Sequence, residues 1–108
     1  MKVRNVRDTT SWFEVLQTTK RTQTAMMTLK PGKSSGSRPE GHEQSDQVLL
    51  VLQGAVEGEI SDRKITLGEG DVIVIPAGTK HKFTNQGLVD AVTFNTYSPP
   101  EYEADEKG

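Results

Sequence analysis

Apolar and polar residues alternate with a period near two along most of this chain, and no window keeps the roughly 3.6-residue period of a surface helix. The pattern predicts eight short strands, at 12–16, 22–29, 47–53, 55–60, 63–67, 71–75, 81–85 and 88–97, with no substantial helix. Turn residues separate them: Gly54, the pair Ser61-Asp62, the run from Gly68 to Gly70, and Gln86-Gly87. A polar loop at 30–39 carries Pro31, Gly32, Gly36, Pro39 and three serines. In the first strand Trp12, Glu14 and Leu16 are expected on one face. Strands of this length and spacing predict an all-β sandwich or barrel. The segments 48–52 and 72–75 are apolar on both faces, although only one face of a barrel points inward. The second face must meet another sheet or another chain. A homodimer interface and a covering N-terminal segment are the two readings left open.

Length narrows this to one domain, 1–108, with its core at about 22–97. At this size roughly two-thirds of the unfolded surface can be buried, enough for an unassisted core. The chain has no cysteine, which excludes disulfides, thiolate nucleophiles and cysteine-ligated metals. Lys2, Arg4 and Arg7 are not followed by the apolar stretch of a secretory signal. No apolar run approaches the ~20 residues of a membrane span, so a soluble cytoplasmic protein is expected. Net charge is −2 with both signs interspersed, which lacks the basic stripe that nucleic-acid binding needs. The pairs Lys20-Arg21 and Arg63-Lys64 read as solvated charge. Ser98-Pro99-Pro100 stops the last strand. The acidic tail at 101–108 is expected to be mobile beyond Tyr102.

Candidate chemistry centres on the chain's two histidines, His42 and His81. The stretch at 70–85 runs turn, apolar strand, rigid Pro76-Ala77-Gly78 turn, then His81 at the start of the next strand. Such an order aims one imidazole inward, with Phe83 on its face. Gln47 opens the most apolar strand, with Leu49 and Val51 on its face, whereas Asp46 should point the other way. Asn85 reads as a turn-fixing residue ahead of Gln86-Gly87. Each histidine alone could equally be a satisfied polar residue.

The spacing G-x5-P-x-G-x2-H-x3-N at 70–85 resembles the second signature motif of the cupin family in every specified position. The segment at 40–54 resembles the first motif in the variant form E-x-H-x4-Q-x6-G. Glu40 stands where a histidine is usual, and Gln47 where a glutamate is usual. The expected upstream glycine falls on Ser34, between Gly32 and Gly36. The resemblance, to small single-domain bacterial cupins, implies a double-stranded β-helix (jelly-roll) barrel and commonly a dimer. It implies a pocket holding one divalent transition metal (Zn, Fe, Ni or Mn) on Glu40, His42, Gln47 and His81. The two replacements move the anionic ligand without changing the total charge. Gln47 is a ligand through its carbonyl oxygen or a hydrogen-bond partner of a bound water. Met27, Leu49, Phe83 and Phe94 are candidate pocket walls, each with ordinary core as its alternative. A metal-dependent enzyme acting on a small organic molecule is the leading expectation. A non-catalytic small-molecule or metal sensor and a metal-free structural barrel are the alternatives, since fold does not choose the reaction.

Overall fold

The computed structural model describes residues 2–104. Its elements are a short 3₁₀ turn at Val6–Asp8 and eight strands: β1 (Phe13–Thr18), β2 (Gln23–Leu29), β3 (Asp46–Gln53), β4 (Ala55–Ile60), β5 (Arg63–Gly68), β6 (Val72–Ile75), β7 (His81–Thr84) and β8 (Ala91–Ser98). They form a five-stranded sheet in the order β1-β2-β8-β3-β6 and a three-stranded sheet in the order β5-β4-β7. All pairings are antiparallel. The fold is all-β, as the strand pattern predicts, and it is the double-stranded β-helix that the resemblance implies. Among the described residues no helix is long and apolar enough to cross a membrane.

Strand alternation decides which side chains meet. In the larger sheet Leu49, Val51 and Ile75 point inward against Val56, Leu67 and Phe83 of the smaller one. Burying one such leucine or phenylalanine contributes ~1.5–3 kcal/mol, and this sandwich is the main stabilising layer. The Ser61-Asp62 turn has positive φ at both residues (47° and 65°), the conformation of a tight hairpin whose twist matches its strands. Asn85 fixes the loop after β7 as expected: its Oδ1 accepts from Gly87 N at 2.8 Å, and its Nδ2 donates to Leu29 O and Val89 O, each at 2.8 Å.

Two expectations need correction. A bulge between Val15 and Gln17 breaks the alternation of β1, so Trp12, Glu14 and Leu16 do not share a face. Leu16 is buried while Trp12 stays exposed. The strand expected from residue 88 begins at Ala91. Glu101 and Tyr102 keep the start of the tail on the fold. The buried Gln23 holds it there: its Oε1 accepts from Glu101 N (3.2 Å) and Tyr102 N (3.0 Å), and its Nε2 donates to Tyr102 O (2.8 Å). Residues 105–108 lie outside the described residues.

Candidate metal centre

The two histidine segments are joined by backbone before any side chain is considered. Glu40 and His81 form an isolated antiparallel bridge, with N–H···O distances of 3.1 and 3.0 Å. Gly78 N donates to His42 O at 2.8 Å. Both glycines here are needed. Gly78 has φ +82°, and a Cβ on Gly41 would lie 3.0 Å from Gly78 O. The turn before β7 and the loop before β3 therefore sit backbone to backbone, which brings the rings of His42 and His81 to 5.0 Å between centroids.

The rings face a cavity of about 430 Å³. Its walls include Phe13, Met27, Phe83, Tyr97 and Tyr102, with Ser35, Ser37, Arg38 and Glu40 toward the rim. Another cavity, of about 500 Å³ around Thr9, Trp12, Lys30 and Lys33, contains neither imidazole.

Hydrogen bonding fixes the chemistry of each ring. His81 Nδ1 lies 2.9 Å from Thr79 O. A carbonyl can only accept, so Nδ1 carries the proton and Nε2 is left with its lone pair. Burial, and after it the neighbouring His42, push the His81 pKa below its usual value, against the opposing effect of the Thr79 carbonyl; the neutral ring is favoured. His42 Nδ1 lies 3.2 Å from Glu101 Oε2, which orients that ring in the same way. A carbonyl or carboxylate on Nδ1 is the usual outer partner of a metal-binding histidine.

Gln47 supplies a third group. Its Nε2 donates to Asn95 Oδ1 at 2.9 Å, and its Oε1 is buried without a partner. An unsatisfied buried acceptor costs ~1–3 kcal/mol, so this oxygen awaits a cation or a donor. Two bare imidazole nitrogens and one bare carbonyl oxygen on one cavity form a donor set that suits a divalent transition metal.

Glu40 differs from expectation. Its carboxylate is turned to the rim, 74% exposed and 3.5 Å from Arg38 Nε. Among the described residues no three of His, Cys, Asp and Glu converge to hold an ion. The exposed end of Glu40 is better solvated beside Arg38 than inside an aromatic-walled cavity. Of the expected walls, Met27 and Phe83 line the cavity, and Leu49 belongs to the core cluster. Phe94 is a correction. It pairs with Met26 and Leu50 on the opposite face of the sheet. The inward residues of β8 are Thr93, Asn95 and Tyr97, which are buried. Asp46 lies away from the cavity, as expected, and its Oδ1 accepts from Ala77 N at 2.8 Å.

Sequence reasoning missed Asn95, Tyr97, Glu101 and Tyr102. The period-two polar series Thr93-Asn95-Tyr97 was the available signal for the first two. Tyr97 and Tyr102 pack edge to face, with centroids 5.1 Å apart, and both stand near His42. Burial is the main cause that raises both phenol pKa values, so Tyr97 keeps its proton at neutral pH.

The profile of a cupin family, described as the cupin domain, matches residues 25–97. The chain is a cupin. This cupin is also 35% identical over 106 residues to the uncharacterized protein L612 of Acanthamoeba polyphaga mimivirus, across 91% of this chain and 65% of that one. It thus spans just under two-thirds of that relative. Among solved structures it is similar to BH2720 of Bacillus halodurans, with 25% identity, a TM-score of 0.83, and coverage of 92% of this chain and 78% of that chain. It is similar as well to KdgF of a Halomonas species, with 27% identity, a TM-score of 0.74, and coverage of 82% and 77%.

Proposed function

We propose that this cupin is a metal-dependent enzyme acting on a small organic anion, with a divalent ion held by His42, His81 and the carbonyl oxygen of Gln47. The observation that carries the reading is the bare Gln47 Oε1, buried on the same cavity as two imidazoles whose Nδ1 atoms are already engaged. A divalent ion bound there supplies Lewis-acid polarisation of a substrate oxygen. All three donors are neutral, so they leave the ion's charge unbalanced and favour an anionic oxygen on the ligand. Arg38 at the rim adds a positive charge on the approach, offset in part by Glu40. Tyr97, held protonated and hydrogen-bonded to Tyr102, is part of the wall rather than a base. Phe13, Met27 and Phe83 give the cavity apolar walls.

Support for a homodimer comes from the outer face of the larger sheet. Val72 and Val74 are each 60% exposed there, on an edge strand paired only with β3. We infer that a second copy covers this face.

Metal analysis of protein purified without a chelating tag, before and after reconstitution with Zn, Fe, Ni or Mn, tests the site. About one equivalent is expected, and His42→Ala and His81→Ala should each lower affinity by at least about 100-fold. Glu40→Ala should change it less than about threefold. Retention of metal by both histidine variants would sink the proposed site. Turnover is then sought by a substrate screen with the metal content controlled.

A further inference from the structure

A line of buried polar side chains runs from β2 to the cavity, and packing does not require it. Thr93, Asn95 and Gln47 are all buried on the inner face of the sheet, where apolar residues would fill the space at lower cost. Their hydrogen bonds have a fixed direction. Thr93 Oγ1 donates its single proton to Met27 O at 2.9 Å, because a carbonyl can only accept. The hydroxyl oxygen is then an acceptor for Asn95 Nδ2 at 3.0 Å. That turns Asn95 Oδ1 the other way, where it accepts from Gln47 Nε2 at 2.9 Å. Gln47 Oε1 is the end left over.

An amide has two ends of nearly equal shape, and only the oxygen end can bind a cation. The backbone carbonyl of Met27 thus decides, through two side chains, which end of Gln47 meets the cavity. We propose that Thr93 and Asn95 are positioning residues that make Gln47 a carbonyl-oxygen donor to a metal ion. The proposal rests on the metal reading above and adds how this chain presents a neutral oxygen at a position where a carboxylate would need no orienting.

The symmetry of a carboxylate gives the test. Affinity for Zn²⁺ is measured by competition with a chromophoric chelator, alongside thermal melting to confirm folding. Asn95→Leu should weaken binding by about tenfold or more in the native background, the scale of losing an outer-shell partner. In the Gln47→Glu background, where either oxygen can serve, the same change should cost less than about threefold. Gln47→Glu alone should bind more tightly than the unaltered chain. Should Asn95→Leu fail to fold, the pair Thr93→Val and Thr93→Ser decides: the valine variant should lose affinity, and serine, which keeps the hydroxyl, should restore it. Equal losses in both backgrounds, or serine behaving as valine does, would overturn the positioning role while leaving the metal site standing. An unaltered chain that takes up no Zn²⁺ would overturn both.

Discussion

The two faces of the five-stranded sheet differ in what each leaves unfinished. The inner face carries polar residues among apolar ones, and every hydrogen-bonding end in its Thr93-Asn95-Gln47 series is matched except Gln47 Oε1. The outer face is apolar across four strands, in the row Met26, Phe94, Leu50 and Val72, with Glu14 of β1 at its edge. Its incomplete part is an area, around Val72 and Val74, rather than an atom. One lone acceptor calls for a ligand of defined chemistry, whereas a stretch of exposed apolar surface calls only for contact. Strand alternation lets one sheet do both, since neighbouring residues of β3 and β8 serve opposite purposes.

Truncation separates the faces most sharply. Leu49→Ala, on the fully buried inner side, should destabilise the fold by about 2–5 kcal/mol in chemical denaturation. A loss below ~1 kcal/mol would mean that the inner layer is loosely packed. Glu14→Gln, at the outer edge, should cost less than ~1 kcal/mol near neutral pH. A backbone hydrogen bond from Thr10 and, more weakly, Arg4 at 2.8 Å hold the Glu14 carboxyl below its usual pKa. A lowered carboxyl pKa gives stability that is present above the unfolded value and lost as pH falls through the folded one. The gap between Glu14→Gln and the unaltered protein should therefore close in acid, below about pH 4; a gap that persists there would assign the effect to packing. Val74→Asp should have the smallest effect on the monomer fold, within about 0.5 kcal/mol. Sedimentation should nonetheless show it shifted from dimer to monomer, and an unchanged dimer would place the interface elsewhere.

Much of this architecture was legible from residue order. The strand pattern gave the strands to within a few residues because turn residues such as Gly54 and Ser61-Asp62 punctuate them. The pairing of His42 with His81 was legible from motif spacing. The outward Phe94 was not, because hydrophobicity argues that the large apolar residue of β8 points inward. Here the inward positions of β8 carry Thr93, Asn95 and Tyr97, and Phe94 is accommodated beside Met26 and Leu50. Glu40 was misread for a related reason. Its backbone does pair with His81, but a flexible side chain at a rim goes to solvent and Arg38. The anchoring of Glu101 and Tyr102 depends on Gln23, far away in sequence, and no local pattern announces it.

The strand order has a consequence for how the molecule comes into being. β8 lies between β2 and β3, and it carries Asn95 and Tyr97. While the chain is being synthesised, β2 and β3 emerge long before the strand that belongs between them. Their facing edges stay unpaired until residue 98 has cleared the ribosome, and long-range pairing of this kind is slow. The nascent chain must wait with two open sheet edges, and any chaperone that attends it would find its work there.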